Sequence, residues 1–252
     1  MTRTDITIIA AVLTLTIVAL RLTHRFVPHH LREPHNDVAG FIFAAVSVVF
    51  AVPLAFVVVA LWTNTDTARQ TTFKEADEVA GVYWIAREMP LPVGAELERQ
   101  TLDYAHTVIE TEWPLMEKHQ TSPAATALVY EMRDSVFAFK PADARQQVLF
   151  DHAVTHIEAL ASERRARLNQ AADKVPTLLW TILIGGAVVT VAFTFLFGLS
   201  SSLAHTVMVV TLAGLVVVSL VVVKEMSYPY AGSTKIDPQA FEVFLARLPA
   251  PR

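Results

Sequence analysis

Residues 175–223 read VPTLLWTILIGGAVVTVAFTFLFGLSSSLAHTVMVVTLAGLVVVSLVVV, and their one ionisable side chain is His205. A hydrocarbon core about 30 Å thick is crossed by about 20 apolar residues of helix. The stretch is therefore long enough for two crossings. GLSSSLAH at 198–205 divides it, which predicts a hairpin of spans at about 176–197 and 203–223. Pro176 fits the first helical turn, where a missing N–H costs nothing. Trp180 fits an interfacial anchor.

The same signal recurs upstream. Residues 38–65 are uncharged between Asp37 and Asp66, predicting a span at about 38–62 that ends near Trp62. Residues 6–20 are uncharged between Asp5 and Arg21. That run is short, but Thr2 and Thr4 extend it and Arg21 can snorkel, giving a span at about 5–23. A cleaved signal peptide fits poorly, because MTRTD is a weakly basic start and THRFVPHH offers no small-residue cleavage site. Buried soluble helices fail on length, since no soluble domain this small hides so much apolar helix. The predicted fold class is all-α, an integral membrane protein with four transmembrane helices and a helical domain between spans two and three. The expected segments are a first hairpin (1–65), a soluble four-helix region (66–174), a second hairpin (175–223) and a tail (224–252).

Composition agrees. The chain is 53% hydrophobic and 17% charged, with mean hydropathy +0.43. It has no cysteine, which excludes disulfides, thiolate metal sites and a cysteine nucleophile. Its Ala/Val/Thr/Arg-rich, Lys-poor usage suits a GC-rich bacterial genome.

In the soluble region, helical periodicity predicts helices at 67–89 and 95–119. MPLPVG at 89–94 separates them, and Pro114 should kink or shorten the second. Ser122 is a predicted N-cap with Pro123 at the first helical position, opening a helix to about Phe139. Pro141 opens the last helix, which runs toward the membrane. The region carries 12 Lys and Arg against 18 Asp and Glu, a net of −6, so no nucleic-acid partner is expected. Glu110, Glu112 and Glu117 read as a solvated helix face, and Trp113 as a packing anchor.

Four spans put the N-terminus, region 66–174 and the tail on one side. That side has Arg3, Arg69, Lys74, Arg164, Arg165, Arg167, Lys174, Lys224 and Lys235 near span ends. The opposite loop has Arg21, Arg25 and Arg32. The positive-inside rule places the larger group in the cytoplasm of a plasma (inner) membrane protein.

Arg164, Arg167 and Lys174 share one helical face. The plain reading is an ion pair of Glu163 with Arg167, plus contact with lipid headgroups. The sharper reading is a ring of positive charge at a pore mouth, contributed by symmetric copies, which would draw anions. His152 and His156 lie one turn apart, as metal ligands can. Spacing gives no third ligand, so neither a metal nor any other cofactor is expected. His24, His29, His30 and His35 read as a solvated or pH-sensitive loop. His205, at a span end, is a gating or capping candidate.

Several motifs together resemble a known family. These are PHNDVAGFIFA (34–44), EWP (112–114), RRARLN followed by PTLLW, Gly185-Gly186, Ala204-His205, and YPYAGSTKIDPQAFE (228–242) with Pro229 as a structural or gating candidate. They resemble a bacterial membrane family described as bestrophin-like and of unknown function. The likeness runs from about Asn36 to Leu248. Ser227 stands where the family has Asp, Tyr230 where it has Phe, and Pro53 where Leu is expected. Through bestrophins, the resemblance implies a pentameric, ligand- or pH-gated anion channel whose second span lines an apolar neck.

Within the second span, Gly40, Phe43, Ser47, Phe50, Leu54 and Val57 recur at three- or four-residue spacing. They form a candidate pore-lining stripe, with Phe50 beside Pro53 as a candidate gate. Helix packing is the rival reading of that stripe. The functional expectation is a homo-oligomeric channel, with lipid, inorganic ions and copies of itself as partners. The alternatives are a non-conducting scaffold whose acidic domain binds a cytoplasmic partner, and a cation channel with an acidic vestibule. No nucleophile–base pair or carboxylate dyad supports an enzyme.

Overall fold

The computed structural model describes residues 2–173 and 175–249 and, among them, contains helices and no strand. Lys174 lies outside the described residues. Ten α-helices follow in chain order: α1 (Arg3–Phe26), α2 (His29–Arg32), α3 (Asn36–Glu88), α4 (Val93–Thr107), α5 (Trp113–Met116), α6 (Pro123–Ala138), α7 (Ala144–Ala172), α8 (Thr177–Phe193), α9 (Ser202–Met226) and α10 (Gln239–Ala246). Four helical stretches are long and apolar enough to cross a membrane; they lie in α1, the first half of α3, α8 with its following 3-10 turn, and α9. In lipid every backbone polar group must be satisfied within the segment, and uninterrupted helices do this.

The chain forms two compact units. The first is Met1–Thr63 with Lys174–Ser227, and the second is Asn64–Asp173 with Tyr228–Arg252. In the first unit, α1 runs antiparallel along α9. Its start is capped by Thr2, whose hydroxyl accepts from Asp5 N while the Asp5 carboxylate accepts from Thr2 N. Asp5 also takes the Lys224 ammonium at 2.7 Å. Midway, Gly214 faces Leu13, and at the far end His24 meets His205.

Two sequence expectations change here. Span two and the helix expected at 67–89 are one continuous helix, α3, of 53 residues with Pro53 inside it. Pro53 costs one backbone hydrogen bond, which the remaining turns and the packing of α3 offset. The loop between spans one and two is also largely helical, through α2 and a 3-10 turn at Glu33–His35.

The second unit is a helical bundle in which α4 packs on α6, α6 on α7 and α10 on α4. Its core includes Val79, Leu97, Tyr104, Met132, Leu160 and Phe241. Ser122 caps α6 by accepting from Ala125 N. Asp143 rather than Pro141 starts α7, accepting from Gln146 N at 2.8 Å. Between α4 and α5, residues Val108–Glu112 form a π-turn. Pro114 has no N–H for the carbonyl of Glu110, and the adjoining turn widens so that Trp113 N bonds Val108 O. Residues 230–244 supply core side chains to the second unit. Tyr230 and Phe241 are buried, and Pro229 O accepts from Ile236 N at 2.8 Å.

Candidate functional site

The six residues expected to line a pore lie on the packed face of α3. Phe43 meets Phe193 and Phe197 with ring centroids 6.1 and 5.8 Å apart. Gly40 faces Phe197. Phe50 lies over Gly186, so close that a Cβ there would sit 2.8 Å from the ring. Leu54 and Val57 join Leu183 and Val223 in one apolar cluster. The Ser47 hydroxyl is buried and has no partner among the described residues. An apolar cleft of about 180 Å³ remains between Phe50, Pro53 and α8. Within the protomer this stripe is thus a helix–helix contact. Glycine at 186 is what admits the Phe50 ring, the small-residue device by which helices approach in membranes.

The opposite face of α3 is left open. Phe41, Val48, Val52, Phe56 and Val59 are exposed, Val48 by 61% and Phe56 by 71%. At 100° per residue they share one stripe. Sequence reasoning missed it because both faces are apolar, so periodicity gave no contrast.

The arginines are also placed differently. Arg167 is fully buried in the second unit, with Nε 2.5 Å from Glu75 and Nη2 2.7 Å from Glu112. Its guanidinium lies 5.1 Å from the Trp113 ring centroid. Arg164 is buried too and donates to Glu112 at 2.6 Å, to Thr126 Oγ1 and to Ser122 O. The Tyr104 hydroxyl donates to Glu75 at 2.5 Å, and burial, then the Glu75 charge, pushes that phenol well above its ordinary range. Two carboxylates and two guanidiniums thus neutralise one another away from water, where an unpaired charge is costly. The expected exposed face of Arg164 and Arg167 does not exist, and neither does the Glu163 pairing assigned to Arg167. Glu112, read as solvated, is buried because the π-turn carries it inward. Arg165 is the exposed arginine of the run.

Trp113 is a packing anchor. Its Nε1 donates to Ile236 O at 2.9 Å, and its ring meets Tyr230 and Phe241. The Tyr230 hydroxyl bonds Ala68 O and Thr72, and burial pushes its pKa up to about 12. Ser227 Oγ bonds Val223 O at 2.6 Å, within its own helix. His152 is exposed, whereas His156 bonds Glu78 at 2.7 Å.

At the end of the first unit where α1 stops and α9 starts, polar side chains converge that sequence reasoning had not joined. His24 Nε2 lies 2.9 Å from His205 Nδ1, and His205 Nε2 lies 3.0 Å from Thr194 O. Buried Arg32 donates to Phe195 O and Phe197 O. Asn36 exchanges two bonds with the backbone of Gly198. The cluster joins α1, α2, α3, the turn after α8, and α9.

These features define a class: a multi-pass helical membrane protein with an apolar, unpartnered helix face in the membrane and a helical bundle whose buried charges are paired. The chain belongs to the bestrophin-like family, whose domain matches residues 10–241. It has a bestrophin fold. A mutant of a bacterial bestrophin homolog from Klebsiella pneumoniae superimposes with TM-score 0.71 at 12% identity, covering 94% of this chain and 96% of that one. A membrane protein carrying a proline-to-alanine substitution gives TM-score 0.69 at 12% identity, covering 94% and 95%. No curated protein sequence matches the chain.

Proposed function

We propose that the chain is the protomer of a homo-oligomeric ion channel, a ring of five by likeness to bestrophins. In this reading the Phe41–Val48–Val52–Phe56–Val59 face of α3 lines the axial path. The observation that carries it is the division of α3 into a face packed on α8 and an apolar face with no partner in the protomer. In a ring, such a face forms a narrow apolar constriction that passes ions when wet and blocks them when dry. The non-conducting scaffold is the rival reading.

Pairing of Arg164 and Arg167 within the protomer removes the support for an anion-attracting ring. Surplus acid in residues 66–174 favours cations instead. Recording of purified protein in planar bilayers under asymmetric salt tests both points. A reversal potential toward the cation equilibrium value is expected, and absence of current from assembled protein overturns the channel.

The faces of α3 predict opposite phenotypes. Val52→Ser wets the constriction and is expected to raise current several-fold with assembly intact. Phe50→Ala empties the contact with Gly186 and is expected to cost about 3 kcal/mol, the low end for Phe→Ala because the ring is half-buried, read as lower thermal stability. Wild-type current in Val52→Ser together with raised current in Phe50→Ala would return the pore to the packed face.

The second unit and the chain after α9 are assigned to the cytoplasm of the plasma (inner) membrane by their Lys and Arg near span ends. The protein has no cysteine, so His29→Cys supplies a unique thiol. An impermeant thiol reagent is expected to label it on intact cells; labelling only after permeabilisation reverses the orientation.

A further inference from the structure

The contact between His24 and His205 has a direction fixed by its ends. Thr194 O can only accept, so His205 Nε2 carries a proton toward it at 3.0 Å. In neutral His205 the other nitrogen, Nδ1, is then an acceptor. His24 Nε2 must donate to it across 2.9 Å. That leaves His24 Nδ1 to accept from the Ser202 hydroxyl at 3.1 Å. All four groups are satisfied by one orientation with both rings neutral.

One added proton is accommodated. On His24 Nδ1 it turns that nitrogen into a donor to Ser202 Oγ, and the hydroxyl rotates away. The contact between the rings is kept. A second proton must go to His205 Nδ1. Two N–H groups then oppose each other across 2.9 Å, the bond is lost, and two like charges share a partly buried site.

Few other charges face the pair. Residues 175–223, which supply α8, its following turn and the contacting part of α9, hold no other ionisable group. On α1, Arg21 and Arg25 are exposed, as are His29 and His30 on α2, Glu33 after it and Asp37 on α3. Arg32 is buried beside the same turn, where it donates to Phe195 O and Phe197 O. No described ion pair gives it a carboxylate, so added positive charge meets repulsion there.

We propose that His24 and His205 form a single-proton latch tying the end of α1 to the start of α9, closed with zero or one proton and released by the second. The Asp5–Lys224 ion pair holds the opposite end of the same two helices, so release lets α1 pivot about that end. The latch does not depend on the chain conducting ions.

The test uses the full chain in lipid nanodiscs, spin-labelled through Leu22→Cys and Leu203→Cys, both exposed positions. The interspin distance is expected to be short and narrowly distributed at neutral pH, and to lengthen and broaden well below the ordinary histidine range. With His205→Gln added, the distance is expected not to change with pH. A pH-independent distance in the unsubstituted latch overturns the proposal, as does an equal shift in the His205→Gln protein. Should His205→Gln fail to assemble, 15N spectra of histidine-labelled wild type decide. Two separated proton uptakes with neutral His205 protonated on Nε2 support the latch. Two imidazoles titrating together and independently overturn it.

Discussion

Arg167→Met is expected to destabilise the protein by about 3–5 kcal/mol, the cost of leaving partners of a buried ion pair unpaired. Both Glu75 and Glu112 point at this guanidinium from fully buried positions. Removing it strands two carboxylates beside one remaining cation, Arg164, which contacts Glu112 and not Glu75. Glu75 keeps only the Tyr104 hydroxyl among its described bonds. The check is thermal or denaturant unfolding in detergent, with Arg165→Met as the exposed control, expected to stay within about 0.5 kcal/mol. Adding Glu75→Gln to Arg167→Met removes one stranded charge and is expected to recover part of the loss. Equal stabilities for Arg167→Met and Arg165→Met would contradict the buried network.

The second large effect is at Gly198. A Cβ there would stand 2.3 Å from Glu33 N and 2.6 Å from His29 O. Those atoms are backbone and cannot swing aside. The turn after α8 therefore approaches the α2 segment at a distance that only glycine permits, and Asn36 clamps it by bonding Gly198 N at 2.9 Å and O at 2.8 Å. Gly198→Val is expected to cost about 3 kcal/mol, the upper end for overpacking, because the segments must separate and both Asn36 bonds lengthen. Asn36→Ala should cost about 1–3 kcal/mol, since it leaves the Gly198 N–H and C=O without their partner. Because both changes break one contact, the double variant is expected to cost less than their sum. Strict additivity would show that Gly198 acts elsewhere.

The arginine face shows where sequence reasoning stops. Spacing correctly puts Arg164 and Arg167 on one side of a helix, and says nothing of what meets that side. Their partners are 52 and 92 residues away in the chain. The candidate site was legible to a similar degree. His205 stood out because it is the lone ionisable group in an apolar run, but its partner His24 looked like part of a solvated loop. Asn36 and Gly198 gave no separate signal, because a close backbone approach leaves only a glycine behind it.

The number of spans, the all-helical class and the family motifs were settled by the sequence itself. Membrane crossing depends on a local property, the length of uninterrupted apolar chain, and lipid leaves helix as the way for such a segment to satisfy its backbone. Which face of α3 is packed was decided only by tertiary structure. In a soluble helix the core side is apolar and the other polar, so the sequence records the choice. In a membrane helix a neighbour and a lipid tail are equally apolar, so Phe50 and Phe56 read alike until Gly186 is seen beneath one of them. The fate of the charges was decided in the same way. Net charge is a sum along the chain, but whether an arginine meets water, lipid or a buried glutamate depends on which helices fold against it.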